Sequence, residues 1–214
     1  MDAVCFDMDG VLVDSEDFWV PREREELFPA LVPDSEVESA EIAGMNYRDI
    51  YDYLAERYGV AMGREEYREW YEATAGEIYG EEVRLLDGVP ELLERLRGRG
   101  VAVALVSSSP HRWIDTVRDR FGLAFDEVVG ADAVDAPGKP EPHVYRHAAD
   151  LLGVAPEATV AVEDSGHGVA AARRAGMHVV GFRHGVARDG DRSDADYVAT
   201  SPADLRDHLL AKTA

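Results

Sequence analysis

The chain has 214 residues, of which 46% are apolar, and a formal net charge of -21. That is enough apolar material for a full core and too much for a disordered chain. The acidic balance excludes a basic nucleic-acid-binding stripe. No apolar run is long enough to span a bilayer, and the acidic start lacks a secretory-leader pattern, so no membrane partner is expected.

The first predicted strand, residues 3–6, reads Ala3-Val4-Cys5-Phe6 without polar alternation, as a strand buried on both faces does. Cys5, the lone cysteine, is expected as a small core residue. It allows no internal disulfide and fits a cytoplasmic location. The strand runs directly into Asp7, with Asp9 two residues on and Gly10 permitting a sharp turn. Carboxylates this close beside a buried strand ionise only with a cation or a proton partner. An acidic surface turn is the plain alternative, and the apolar continuation Val11-Leu12-Val13 argues against it.

Residues 15–82 change texture. Strand-like runs vanish, and apolar positions recur at helical spacing: Ile50, Tyr53, Leu54 and Arg57, then Tyr67, Trp70, Tyr71 and Thr74. Pro21, Pro29, Pro33 and the 59–63 region punctuate, giving about four helices. This stretch reads as an inserted all-helical domain with crossings near 14–16 and 81–85, its aromatic residues forming a bundle core.

From Leu86 the rhythm is strand and helix in alternation. Helices are expected at 90–99, ended by Gly100, and at 110–121, 143–152, 169–175 and 203–210. Strands are expected at 101–106, 127–129, 159–162, 178–182 and 197–199. That pattern predicts an α/β fold: a Rossmann-like parallel sheet core with helices on both faces, over residues 1–14 and 83–214.

Ligands of such sheets bind at the carboxyl ends of the strands. There the chain places Asp7, then Ser107-Ser108-Ser109, then Lys139 between Gly138 and Pro140, then Glu163-Asp164-Ser165. Phosphoryl transfer needs those groups. Asp7 is the expected nucleophile and Asp9 the acid and base. A magnesium ion on Asp7, Asp164 and Glu163, directly or through water, would remove charge repulsion. Ser107, the Ser108 amide and Lys139 would hold the phosphate oxygens. Ordinary helix caps are the competing reading of the serines, with Ser109 the expected cap of its helix. The pair Glu163-Asp164 also reads as a cap, with Ser165 beside it.

Asp7-Met8-Asp9-Gly10-Val11-Leu12 resembles the first motif of the haloacid dehalogenase-like (HAD) phosphohydrolases. Ser107 matches the second motif, Lys139 the third, and Glu163-Asp164-Ser165 with Gly168 the fourth. The resemblance implies Asp7 as nucleophile, Asp9 as acid/base, Asp164 as metal ligand and the Asp9 carbonyl as a further ligand. It also implies that residues 15–82 are the cap of the subgroup containing beta-phosphoglucomutase, phosphoglycolate phosphatase and sugar phosphatases. Asp9 argues against dehalogenase chemistry, and the lack of lysine in 15–82 argues against a phosphonatase. Trp19 stands where mutase-like members carry histidine, and Tyr47 where mutases place an arginine that binds a second phosphate; Arg48 follows it. Hydrolysis of a small phosphorylated sugar or organic acid is expected, with a phosphomutase and an inactive HAD-fold binding protein as alternatives. Lys139 and Lys212 are the only lysines, and so dispersed an acidic charge reads as a surface suited to molar salt.

Overall fold

Apolar runs too short for a helix and without polar alternation become strands. After β1 (Ala3–Phe6) the chain turns helical through α1 (Glu16–Arg22), a π turn at Glu23–Leu27, α2 (Phe28–Leu31), α3 (Ser39–Ile42), α4 (Tyr47–Tyr58) and α5 (Arg64–Glu77), which widens into a second π turn at Ile78–Glu82. Alternation follows: α6 (Val89–Arg97), β2 (Ala102–Val106), α7 (His111–Phe121), β3 (Glu127–Val129), α8 (His143–Leu152), β4 (Thr159–Glu163), α9 (Gly166–Ala175), β5 (His178–Phe182), β6 (Tyr197–Ala199) and α10 (Pro202–Ala211). The structure, a computed structural model, describes residues 1–34, 36–183 and 194–213.

The strands form one parallel sheet in the order β3-β2-β1-β4-β5-β6. The chain leaves β1 toward β2 on one side and later returns to β4 on the other, so β1 is the switch point where such sheets open a crevice. Side chains alternate across the sheet. Val4, Phe6, Val103, Leu105 and Val160 share a core with α6, α7 and α10. Cys5, Ala104, Val106 and Ala161 share the other with α8 and α9. Burial pushes the Cys5 thiol up to about 12, which makes it an inert core residue.

Several element ends differ from the sequence expectation. Helix α6 closes at Gly98, whose N–H reaches the Glu94 carbonyl at 2.8 Å, rather than at Gly100. Helix α9 starts at Gly166 because the Ser165 hydroxyl accepts the Gly168 N–H at 3.1 Å, satisfying a first-turn donor. Pro21 and Pro29 do not break the chain, which stays helical from Glu16 to Leu31. Pro21 removes one donor, and the amide of Glu23 reaches the carbonyls of both Trp19 and Val20. Where the helical segment leaves and rejoins the sheet the two passes lie side by side. Asp14 N–H bonds the Arg84 carbonyl at 3.1 Å, and Leu86 N–H bonds the Leu12 carbonyl at 2.8 Å.

Candidate active site

β1 carries Asp7 to the switch point, where its N–H bonds the Val162 carbonyl at 3.0 Å and its side chain is almost wholly buried. Lys139 arrives from the loop between β3 and α8. Its Nζ lies 2.7 Å from Asp7 Oδ1, 2.5 Å from Glu163 Oε1 and 3.2 Å from the Val106 carbonyl. Burial lowers the pKa of Lys139, but the carboxylates of Asp7 and Glu163 outweigh it and hold the ammonium above its ordinary value. Asp7 shows the reverse. Burial first, then the charges of Glu163 and Asp9, push its carboxyl well above the usual range, and Lys139 offsets this only in part.

Glu163, at the tip of β4, is 0% exposed. Its Oε1 also accepts the Tyr145 hydroxyl at 2.5 Å, so this residue clamps Lys139 in place. Gly168 makes room for it, since a Cβ there would stand 2.0 Å from the Glu163 carboxyl carbon. Asp7, Glu163 and Asp164 each offer an oxygen, all within 4.8 Å of one another. Three hard oxygen donors beside one ammonium leave an excess of negative charge, which suits a small divalent cation. Gly10, at φ 71°, turns the chain against this cluster; a Cβ there would fall 2.1 Å from Asp164 Oδ2.

Asp9 faces a different set of partners. Its Oδ1 accepts the hydroxyls of Ser15 at 2.6 Å and Tyr79 at 2.7 Å, and its Oδ2 accepts that of Ser109 at 3.2 Å. Tyr79 in turn accepts the Trp19 indole N–H at 3.1 Å. Burial, then the charge of Asp9, raise the Tyr79 phenol well above its usual value, so it remains a donor. The Asp9 carboxylate therefore stands outside the Asp7–Glu163–Asp164 cluster. Ser107 Oγ accepts the Ser109 N–H at 3.0 Å, and Ser108 Oγ donates to the Gly44 carbonyl at 2.7 Å. Ser109 is not a helix cap, contrary to the sequence expectation. Its hydroxyl is committed to Asp9, and the first amide of α7, that of His111, donates to Asp132 Oδ1 at 2.9 Å instead. His111 and His143 are the first residues of α7 and α8, as their positions suggested.

Above these groups lies a cavity of about 80 Å³. Its floor includes Asp7, Asp9, Asp164 and Ser107, and its roof is aromatic. Trp19 stacks on Tyr71 at 5.3 Å between ring centroids, and Trp113 from α7 meets Tyr47 at 5.0 Å and Tyr79 at 6.0 Å. The aromatic residues of the helical segment thus serve as its core and as a wall of the site. Ser15, Glu16, Glu23, Tyr79 and Tyr145 were not singled out from sequence. Glu16, Trp19 and Glu23 did leave a trace, a spacing that shares one helix face. Tyr79 left none, because 70 residues separate it from Asp9.

A carboxylate at the central strand tip, a buried lysine and a clustered acidic pair thus meet at the carboxyl edge of the sheet of a Rossmann-like α/β fold. Residues 1–176 match the family described as haloacid dehalogenase-like hydrolase, and the chain belongs to that family. It is 32% identical over 179 residues to a phosphorylated carbohydrates phosphatase of Thermotoga maritima, covering 83% of this chain and 82% of that protein. It is 33% identical to hexitol phosphatase B of Escherichia coli K12, with 83% and 82% covered. A HAD family hydrolase from Deinococcus radiodurans, solved with bound phosphate and sodium, superposes with a TM-score of 0.71 at 30% identity, covering 100% of this chain and 96% of that one. Among the described residues no helix is long and apolar enough to cross a membrane.

Proposed function

We propose that the protein is a magnesium-dependent phosphomonoesterase that hydrolyses a small phosphorylated metabolite through an aspartyl-phosphate on Asp7. The observation that carries this reading is the contact of buried Lys139 Nζ with Asp7 Oδ1 at 2.7 Å, with Asp7 and Asp164 lining the cavity and clustered with Glu163. In this reading residues 1–14 and 83–214 are the catalytic core and 15–82 the cap. An oxygen of Asp7 attacks phosphorus as the ester P–O bond breaks, and Asp9 gives its proton to the departing alkoxide. Water then attacks the acyl phosphate, Asp9 recovers a proton from it, and Asp7 is freed with inorganic phosphate. Ser107, the Ser108 amide and Lys139 supply donors to the phosphoryl oxygens. Asp7 and Asp164 would hold the magnesium with the Asp9 carbonyl, and Glu163 would act through Lys139 and water. The ion would neutralise the charge between nucleophile and phosphate. The aromatic roof would exclude water from the acyl phosphate until the leaving group departs.

Hydrolysis rather than phosphoryl shuttling is supported by the position of Arg48. Tyr47 lines both the cavity and an outer pocket, whereas Arg48 lines only the outer pocket, with Arg68 and Arg112. A second phosphate therefore lacks a cationic anchor inside. The single buried cysteine supports a cytoplasmic location, and the charge of -21 supports adaptation to high salt. Rising stability from dilute buffer to molar KCl would agree with the latter, and full stability in dilute buffer would oppose it.

Phosphate release from a panel of sugar and polyol phosphates tests the reading. Turnover should require magnesium, disappear with EDTA, and fall by about 10⁴-fold or more in Asp7→Asn, with the fold retained. Activity surviving in Asp7→Asn would remove Asp7 as nucleophile.

A further inference from the structure

Two of the three hydroxyls that hold Asp9 trace back to a single helix, α7. Ser109 stands just before it and donates to Asp9 Oδ2 at 3.2 Å. The other connection is indirect and starts near the far end of α7. There the Arg120 guanidinium donates to the Tyr79 carbonyl at 3.1 Å through Nη1 and to the Glu81 carbonyl at 2.7 Å through Nη2. Both carbonyls belong to the π turn at Ile78–Glu82, which ends the helix begun by α5. The last carbonyls of a helix have no partner within it. Here the Val83 N–H reaches back five residues to the Ile78 carbonyl at 2.9 Å, and the Arg84 N–H donates to Asp14 Oδ1 at 2.6 Å. Neither amide is left for the Tyr79 carbonyl, and Arg120 takes their place. Between the two carbonyls lies Gly80, the residue type with the freest backbone. The planar fork of donors bridges it as a splint.

We infer that Arg120 is a positioning residue for the acid and base Asp9, acting through the π turn and the Tyr79 ring. The inference rests on the phosphatase reading, in which Asp9 exchanges a proton with the leaving oxygen. Tyr79 is 2% exposed, and its ring lies edge-on to Trp19 and beside Trp113, at 6.1 and 6.0 Å between centroids. A side chain so closely packed has little freedom of its own, and its hydroxyl follows its backbone. A shift of the turn is therefore passed to the 2.7 Å bond between Tyr79 and Asp9 Oδ1. Proton transfer requires the acid within hydrogen-bond reach of the leaving oxygen, and misplacement by about 1 Å can cost about 100-fold in rate. Arg120 itself is exposed and does not line the cavity, so it acts on the reaction only through other residues. Helix α7 thus sets Asp9 from both ends, with Ser109 before its start and Arg120 near its finish.

The test uses the magnesium-loaded enzyme with glycerol phosphate and p-nitrophenyl phosphate. Removing the fork with Arg120→Met should lower kcat/KM for glycerol phosphate by about threefold to tenfold, and no further than Tyr79→Phe does. The loss for p-nitrophenyl phosphate should be smaller, because its phenolate departs without a proton. In the Tyr79→Phe background Arg120→Met should change little, since the link it acts through is already cut. Equal losses in both backgrounds, or for both esters, overturn the inference and leave Arg120 a structural contact. Arg120→Lys keeps the charge but replaces the fork with one ammonium, so it should recover part of the loss. It also serves in place of Arg120→Met should that variant fail to fold. A readout independent of turnover is the Trp19 indole, which donates to the Tyr79 hydroxyl at 3.1 Å. The chain has three tryptophans, and a proton–nitrogen correlation spectrum resolves their indole signals, with Trp19→Phe identifying its own. In Arg120→Met the Trp19 signal should move in the direction it takes in Tyr79→Phe, by a smaller amount. A Trp19 signal that stays in place overturns the inference. Should neither ester be turned over by the wild type, the phosphatase reading itself falls, and the Trp19 signal alone decides whether Arg120 holds Tyr79.

Discussion

The sheet edge and the helical segment meet over one cavity but are built in opposite ways. At the sheet edge, Asp7, Lys139, Glu163 and Tyr145 form a buried, charge-assisted cluster, with each polar group supplied by the end of a strand or the loop or helix beside it. In the helical segment the contacts around the cavity are hydroxyls on carboxyl oxygens and stacked rings, such as Tyr71 to Glu23 and Trp19 to Tyr79 to Asp9, with its ion pairs, such as Arg22 to Glu82, lying outside the cavity lining. The first arrangement suits a group that must not move during reaction. The second suits a wall that shapes what is admitted, because hydroxyl and ring contacts are individually weaker and more easily rearranged.

The sharpest way to break this contrast is to remove the cation of the sheet edge. Lys139→Met should cost about 3–5 kcal/mol, because Asp7 and Glu163 would be left buried against each other with no compensating charge. Urea denaturation in EDTA reads this directly, and a cost under about 1 kcal/mol would show that the cluster relaxes far more than its burial implies. Activity should be lost as well.

Tyr79→Phe probes the other side. It removes one of three donors to Asp9 and leaves the Trp19 indole without its acceptor. A fall in kcat of about tenfold with KM changed less than about threefold is expected, with a stability loss of about 1–2 kcal/mol. An equal rise in KM alone would make Tyr79 a substrate contact rather than a residue that positions Asp9.

The smallest effect lies away from both regions. His178 and His208 are held below the ordinary histidine value, chiefly by burial and then by Lys212. Folded protein therefore takes up these protons less readily than unfolded chain. Their contribution is complete above about pH 6.5 and is lost as pH falls through the depressed folded values. Asp196 beside His178 and Asp204 near His208 pull the other way, and Arg173 adds to the depression at His178. Acidification from about pH 7.5 to about pH 5.5 should lower the denaturation midpoint, and His178→Gln should reduce that slope. Asp7, raised in the metal-free protein, contributes the opposite sign, so the difference between wild type and variant is the quantity to compare.

The strands and the residues at their tips were legible because burial on both faces leaves a mark in consecutive residues. An apolar run that ends in Asp7, Ser107 or Glu163 announces a polar group with nowhere ordinary to go. The parallel sheet and its two covered faces followed from the same alternation of short runs and amphipathic helices. The cap of α7 was misread because a serine before a proline looks like a capping residue whatever its hydroxyl does elsewhere. Only the packing of Asp9 against Ser109, and of Asp132 against His111, reassigns those bonds.

By itself the amino-acid order determined that Asp7, Asp9, Lys139, Glu163 and Asp164 would be drawn toward one edge of a sheet, because strand length and periodicity are local properties. The tertiary structure decided what each of them holds. Glu163 grips Lys139 and Tyr145, Asp9 is gripped by hydroxyls from three separate segments, and Glu16 and Glu23 line the cavity above them. Hydrogen-bond partners tens of residues apart share no local pattern, and only the packing of helices onto the sheet brings them within reach.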